Sequence, residues 1–105
     1  MNEKFIVTEE HDDYGIQYGQ KECTFIIDVC DTIERAREVM CSGSTKLQYT
    51  DDEDADLTVK VNVDQKDIFA RGTDHEMIYV PNNSDNEEIR RYIRPLKSGE
   101  PLLVA

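Results

Sequence analysis

Two acidic runs contain the residues whose types and spacing most suggest a chemical use. The run 51-DDEDAD-56 holds five carboxylates in six residues, and 9-EEHDD-13 holds four around a histidine. Five charges along six extended residues span about 20 Å, or one charge per about 4 Å. This is close to the spacing of the phosphates along one DNA strand. The nine predicted partner-binding residues are Glu9, Glu10, Asp12, Asp13, Asp51, Asp52, Glu53, Asp54 and Asp56.

Alternating carboxylates are also the pattern of a calcium-binding EF-hand loop. Counted from Asp52, the third and fifth positions are Asp54 and Asp56. The sixth position requires glycine and is Leu57, and the twelfth requires a bidentate glutamate and is Val63. The motif therefore fails. A solvated turn is favoured, and the sequence predicts no metal site.

The two histidines offer little catalytic material. His75-Glu76 resembles the start of the zinc-protease pattern HExxH, but Tyr79 stands where the second histidine belongs. His11 lies in an acidic stretch without a second histidine cluster to complete a site. Both are predicted to be surface histidines.

The three cysteines, Cys23, Cys30 and Cys41, form no CxxC pair and are predicted to be free thiols, mostly buried. Cys30 precedes a predicted helix start, but the neighbouring carboxylate of Asp31 would raise the pKa of its thiol. No nucleophile is paired with a base, and no glycine-rich phosphate loop follows a strand. The sequence therefore predicts a protein that is not an enzyme and has no cofactor. An enzyme that uses Cys30 or His75 is a further alternative, and it needs a cleft that brings either residue to a base.

Charge is distributed unevenly along the chain. Of a net charge of −11, residues 1–56 carry −10 and residues 57–105 carry −1. The one basic cluster, in 90-RRYIRPLK-97, is predicted to form ion pairs with Glu87 and Glu88. Direct binding to nucleic acid is not expected, because the overall field would repel it, whereas basic proteins would be attracted.

The chain of 105 residues is predicted to form a single domain over residues 1–105. No apolar segment has the length of a signal peptide core or of a membrane span, so the protein is predicted to be cytoplasmic and to make no contact with membranes.

Strands are predicted over the first third of the chain and in its middle. Residues 5–7 and 14–19 are predicted as strands joined by 9-EEHDD-13, and the apolar run 23–29 as a central strand. Alternation from Leu57 to Val63 predicts a strand with one buried face, paired in a hairpin with residues 46–49. Residues 67–71 and 76–80 are predicted as a second hairpin around residues 72–74.

Two helices are predicted. Asp31 and Glu34 form a capping box for a helix over about 31–42 that ends at Gly43. Residues 84–87 repeat this pattern, and Ile89, Tyr92, Ile93 and Leu96 follow at helical spacing. With a closing strand at 101–104, the predicted class is α+β: two layers, with a mostly antiparallel twisted sheet of five to seven strands and two helices packed on one face.

These patterns favour a small acidic protein that binds and blocks a basic, nucleic-acid-handling partner such as a nuclease, a toxin or a nucleic-acid-guided complex. It would act as an inhibitor, immunity or anti-defence protein, with nucleic-acid mimicry as its mechanism and Tyr14, Tyr18 and Tyr49 as candidate anchors. The charge could instead serve only solubility. An alternative is a small ligand-binding or accessory domain of a larger complex, using the sheet face opposite the helices, including Lys60 and Asn62.

Overall fold

The described strands form one four-stranded antiparallel sheet and one two-stranded sheet. The structure, a computed structural model, describes residues 3–13, 22–49, 57–84 and 87–96. In chain order the elements are β1 (Lys4–Asp13), β2 (Glu22–Cys30), α1 (Ile33–Met40), β3 (Ser44–Lys46), β4 (Thr58–Lys60), a 3-10 helix (Gln65–Asp67), β5 (Glu76–Val80) and β6 (Glu87–Leu96). The α+β class is confirmed, but a four-stranded sheet, a small second sheet and one α-helix replace the single larger sheet and two helices.

The long strands β1 and β6 lie at the centre of the main sheet. The strand order is β2-β1-β6-β5, and every pairing is antiparallel. Helix α1 packs against β1, β2 and β6. Alternate side chains of the strands meet the helix in the core, whose buried apolar residues are Val7, Cys30, Ala36, Met40, Cys41, Val61, Ile68, Ile78, Val80, Ile89 and Ile93.

The predicted first helix is present, with a different cap. The side chain of Thr32, not Asp31, accepts the backbone N–H of Arg35 at 3.1 Å. Thr32 has the extended backbone geometry that an N-cap needs, whereas Asp31 forms an exposed ion pair with Lys4 at 2.8 Å. Gly43 follows the helix at φ +92°, a left-handed conformation that favours glycine.

Among the described residues no helix is long and apolar enough to cross a bilayer.

The alternation of apolar and polar residues from Leu57 to Val63 correctly predicts which of their side chains face the core. Val61 is buried, and Lys60 and Asn62 beside it are exposed. Strand β4 pairs with β3, so an antiparallel pairing on the two sides of the acidic run is present, but β3 lies earlier in the chain than the predicted strand at 46–49, and β4 is shorter than predicted. The backbone N–H of Leu47 donates to the carbonyl of Leu57 at 2.8 Å and extends the pairing towards the acidic run.

The predicted second helix is wrong, because residues 87–96 form β6. The spacing of Ile89, Ile93 and Leu96 suits a helix, but the buried side chains are those of every second residue from Glu87 to Ile93. Two of these, Glu87 and Arg91, are charged. Charged residues on the core face of a strand hide its two-residue period in a sequence, and the apolar residues alone then resemble a helical stripe.

The apolar run that suggested a central strand lies at the sheet edge instead. Strand β2 pairs only with β1 among the described strands, and Phe25 and Ile27 are 39% and 36% exposed. The second predicted hairpin is reduced to one bridge, between Phe69 and Met77, with a 3-10 helix before it. The predicted strands at 14–19 and 101–104 and the acidic loop at 51–56 lie outside the described residues.

Neighbouring residues of β5 allow a direct test of the core. Ile78 is fully buried, and Tyr79 next to it is 46% exposed. Replacing Ile78 with Ala should lower the free energy of unfolding by about 2–5 kcal/mol, because it leaves a cavity. The control Tyr79→Ala should cost less than about 1.5 kcal/mol, the upper value for losing an aromatic contact. Urea denaturation measures both, and equal losses would contradict this orientation of β5.

Candidate functional site

The pairing of β1 with β6 places residues of opposite charge opposite one another. Glu9 faces Arg91, and Glu10 faces Arg90, in adjacent positions of the two strands. Because the side chains of a strand alternate between faces, the Glu9–Arg91 pair enters the core and the Glu10–Arg90 pair lies on the other face. The two acidic residues therefore have different environments, although they are neighbours in the sequence.

The core face holds four charged residues in one connected series, which we call the buried ion chain: Arg91, Glu9, His11 and Glu87. Arg91 Nε donates to Glu9 Oε1 at 2.8 Å, and Glu9 Oε2 lies 2.8 Å from His11 Nε2. His11 Nδ1 in turn contacts a carboxylate oxygen of Glu87. All four residues are at most 4% exposed. Because these four side chains are isolated from water, their charges must neutralise one another.

Arg91 joins this chain to the end of α1. Its guanidinium donates to the backbone carbonyls of Ser42 at 2.7 Å, Val39 at 3.2 Å and Met40 at 3.3 Å, and also to Ser44 at 3.3 Å. The last carbonyls of a helix lack partners within the helix and carry partial negative charge. A buried arginine therefore satisfies both this helix end and the carboxylate of Glu9.

Glu9 and Glu87 join the chain to the segment that follows β3. The carboxylate of Glu87 accepts the backbone N–H groups of Gln48 and Tyr49, each at a shortest distance of 2.8 Å. The hydroxyl of Thr45 lies 2.5 Å from Glu9 Oε2. Residues 45–49, which precede the acidic run in the sequence, are thus held by two buried carboxylates.

The hydrogen bonds of the chain favour charged forms of its members. Burial alone would lower the pKa of His11, but its hydrogen bonds to Glu9 and Glu87 and their negative charges raise it overall. Burial would raise the pKa of Glu9, yet hydrogen bonds from His11, Thr45 and Arg91 hold it below its ordinary value. An imidazolium ring and one guanidinium balance two carboxylates, so the chain is neutral.

This protonation state excludes several kinds of chemistry at His11. Ionised carboxylates only accept hydrogen bonds, so both ring nitrogens of His11 must carry protons to satisfy Glu9 and Glu87. A ring with both nitrogens protonated has no lone pair for accepting a proton, attacking a substrate or binding a metal. The contacts therefore give His11 a structural role.

A second ionic cluster lies on the opposite face of the same strands. Arg90 binds Glu10 and Glu88, each at 3.1 Å, and also contacts Asp12. Asp12 and Glu88 are directly opposite each other in the strand pairing, a position where two carboxylates repel. Arg90 lies between them and offsets this repulsion.

A third ion pair connects α1 to β5. The guanidinium of Arg37 donates from two nitrogens to the two carboxylate oxygens of Glu76, both at 2.7 Å. The backbone N–H of Gly72 also donates to Glu76, at 3.1 Å. The hydrogen bond from Arg37 lowers the pKa of this buried carboxyl, and burial opposes it only in part. Glu76 thus fixes the turn before β5 as well as the helix.

The predicted acidic link at 9–13 is wrong, because all five residues belong to β1. Glu9, Asp12 and Asp13 are at most 6% exposed, and Glu10 is half-buried and paired. These four carboxylates therefore do not form an exposed acidic surface. The other predicted partner-binding residues, Asp51, Asp52, Glu53, Asp54 and Asp56, lie outside the described residues.

The remaining predicted site residues have mixed outcomes. His11 is fully buried, which contradicts its prediction as a surface histidine, whereas His75 is exposed as predicted. Cys30 and Cys41 are buried free thiols, and burial raises the pKa of both. The candidate anchor Tyr49 is only partly exposed. Within the described ranges, no three side chains of the metal-binding types come together as a metal site.

Sequence reasoning missed Glu87, Arg91 and Thr45 as parts of one cluster. Their partners lie 36 to 82 residues away in the chain, so no local spacing reveals them. One signal was available. The adjacent glutamates at 9–10 and the adjacent arginines at 90–91 are of opposite charge, and the strand pairing places them opposite one another.

A shallow groove beside β5 is a separate surface feature. Its volume is about 700 Å³, and the exposed aromatic rings of Phe69 and Tyr79 contact each other at its wall, with centroids 5.4 Å apart. Lys66, Asp64 and Asp67 supply charged groups along it. An open groove of this kind has room for a peptide segment or a small ligand.

Comparison of the chain with protein-family models, curated proteins and solved structures finds no match.

Proposed function

We propose that the protein is a non-enzymatic acidic protein that binds a basic, nucleic-acid-handling partner protein and blocks it. The contact would use the carboxylates of residues 51–56. The net charge of −11 supports this proposal, since it attracts basic proteins and repels nucleic acid. The partner class is a nuclease, a toxin or a nucleic-acid-binding complex, and the protein would serve as an inhibitor, immunity or anti-defence factor.

The observation that carries the proposal is the pairing at the base of the acidic run. Leu47 and Leu57 are joined by a backbone hydrogen bond of 2.8 Å, and five carboxylates occur in the sequence between them. This hydrogen bond and the pairing of β3 with β4 hold the described residues on the two sides of the run together. A short segment with this charge density offers a basic groove some of the charge that a nucleic-acid strand would supply.

The contacts of the β1 carboxylates limit the proposed partner-binding residues to the acidic run at 51–56. Glu9, Glu10 and Asp12 are bound by Arg91 or Arg90, and Asp13 is buried, so none of them is assigned to the partner contact. Arg90 and Arg91 offset only part of the charge of these residues, and further acidic residues contribute to the net charge of −11. Residues 51–56 are the densest concentration of those.

The roles of the reactive side chains support a binding function over catalysis. His11 has both ring nitrogens occupied, Cys30 and Cys41 have raised pKa values, and the buried carboxylates Glu9 and Glu76 are bound to arginine. A catalytic group must reach a substrate in the correct protonation state. In the part of the chain that the structure describes, these groups maintain the fold instead.

The proposal is tested with two variants of equal charge. One replaces the five carboxylates of the acidic run: D51N, D52N, E53Q, D54N and D56N. The control neutralises five exposed carboxylates elsewhere, with E3Q, E22Q, D28N, E34Q and D74N. Each protein is immobilised, a host extract is passed over it at low and moderate salt, and retained proteins are identified.

The wild type and the control should retain the same basic protein, and the acidic-run variant should bind it at least about tenfold more weakly. Duplex DNA should displace the retained protein if its phosphate-binding site is covered. Equal weakening in the two variants would mean that net charge alone matters, and unchanged binding by the acidic-run variant would contradict the proposal.

The groove beside β5 favours a second candidate, a small ligand-binding or accessory domain of a larger complex. Phe69 and Tyr79 are 51% and 46% exposed at its wall, unusual exposure for adjacent aromatic rings. In this case Phe69→Ser with Tyr79→Ser would abolish retention of the partner, and the acidic-run variant would not. The same extract experiment thus separates the two candidates.

A further inference from the structure

Residues 47–49 precede the acidic run in the sequence, and Glu87 holds their backbone in place. The backbone N–H groups of Gln48 and Tyr49 both donate to the carboxylate of Glu87, which is 4% exposed. A hydrogen bond to a buried charged group is stronger than one between neutral groups. The order of this segment therefore depends on the carboxylate of Glu87 staying in place.

Glu87 is itself held by His11. One carboxylate oxygen of Glu87 contacts His11 Nδ1 and also accepts the N–H of Gln48 at 3.0 Å. His11 contacts Glu87 directly, whereas Arg91 binds Glu9 at the other end of the buried ion chain. The protonation of one imidazole ring is thus linked to the backbone that precedes the acidic run.

Groups from every neighbouring element surround this ring. Strand β1 contributes Glu9 and Asp13, and β6 contributes Glu87 and Arg91. From β2 come Cys23, opposite His11 in the strand pairing, and Phe25, whose ring meets the imidazole edge to face at 5.7 Å. Residues 45–49 add the hydroxyl of Thr45 on Glu9 and the backbone of Tyr49 on Glu87.

We propose that His11 acts as a proton-operated latch: its imidazolium form holds Glu87 and the Gln48–Tyr49 backbone, and loss of one ring proton releases this segment. A neutral imidazole donates only one hydrogen bond and directs a lone pair at the other carboxylate. The buried ion chain then carries a net charge of −1 in a site closed to water. Release of the Glu87 contact, next to the hairpin, lets that carboxylate reach solvent.

The direction of the switch follows from the charges. The latch is closed at low pH, where His11 is protonated, and opens as the pH rises. The carboxylates around the ring raise its pKa above the ordinary histidine value of about 6.5, so opening occurs at a higher pH than the titration of an ordinary histidine. Its effect on partner binding rests on the proposed function of residues 51–56, but the latch itself does not.

Amide hydrogen exchange of the unbound protein, measured by NMR across about pH 6 to 9 and corrected for intrinsic rates, tests the latch. Protection of the Gln48 and Tyr49 amides should fall at least about tenfold, as for a lost hydrogen bond to a charged group. The midpoint should match the titration of the His11 ring, while amides of β6 such as Ile93 stay protected. Protection that does not change, or that falls together with Ile93, would overturn the proposal.

Two variants complete the test. His11→Gln cannot titrate, so the pH dependence at Gln48 and Tyr49 should disappear, whereas His75→Gln, at an exposed histidine, should leave it intact. If His11→Gln does not fold, the test uses the wild type and His75→Gln. In both proteins the midpoint of the loss of amide protection should match the midpoint of the His11 titration. Because no partner is present, a negative result here leaves the proposed function untouched, and failure of partner binding leaves the latch untouched.

Discussion

Replacing Arg91 with Met is expected to lower the free energy of unfolding by about 3–5 kcal/mol, because it leaves a buried charge without its partner. Glu9 would lose its guanidinium contact, and the backbone carbonyls of Val39, Met40, Ser42 and Ser44 would lose a donor. Domains of this size have a total stability of about 5–15 kcal/mol. The substitution therefore removes a large part of it.

Arg94 provides the control for this experiment. Its guanidinium is exposed and lies 4.9 Å from the ring centre of Tyr92, so Arg94→Met should cost no more than about 1 kcal/mol. Urea denaturation compares the two. Adding Glu9→Gln to Arg91→Met should recover at least about 1 kcal/mol, because the two residues are coupled. Equal effects of Arg91→Met and Arg94→Met would show that the buried pair does not exist.

The stability of the protein is expected to be greatest between about pH 4.5 and pH 6.5, and to fall on both sides. The pKa of His11 is raised in the folded protein, so its contribution is complete below about 6.5, the unfolded value, and is lost as the pH rises through the folded pKa. The pKa of Glu9 is lowered, so its contribution is complete above about 4.5 and is lost as the pH falls through the folded pKa.

Urea denaturation at a series of pH values measures this profile. His11→Gln should remove the decline on the alkaline side and lower the maximum, whereas His75→Gln should keep the profile of the wild type, since His75 is exposed. A profile that rises steadily from pH 5 to about pH 8, as for a buried neutral histidine, would contradict the assignment of an imidazolium to His11.

Local patterns predicted those parts of the fold that local physics determines. The helix α1 follows from Ala36 and Met40 on one face, although Thr32 and not Asp31 caps it, and the buried side of residues 57–63 follows from strict alternation. In each case the buried residues are apolar and the exposed ones polar. Burial can then be read from residue type alone.

The two largest errors have one physical cause. The stretch at 9–13 was predicted as a link and residues 84–94 as a helix, because Glu9, Asp13, Glu87 and Arg91 are charged. Charged side chains are buried only when partners neutralise them, and here the partners are supplied by the opposite strand. The pairing of β1 with β6 must be known before either strand can be recognised.

The candidate site shows the same limit. The acidic character of residues 9–13 is evident in the sequence, but its use in ion pairs with Arg90 and Arg91 depends on a register between residues about 80 positions apart. The edge position of β2 was missed for a related reason. Its apolar run indicates burial on both faces, yet Phe25 and Ile27 remain partly exposed, and no pattern within β2 specifies the strand order.

The most direct test of this account is the protonation state of His11, measured from the NMR shifts of its two ring nitrogens at neutral pH. The buried ion chain predicts that both nitrogens carry protons and that the ring titrates above the ordinary histidine pKa of about 6.5. A neutral ring at pH 7, with one unprotonated nitrogen and a pKa at or below the ordinary value, would contradict it.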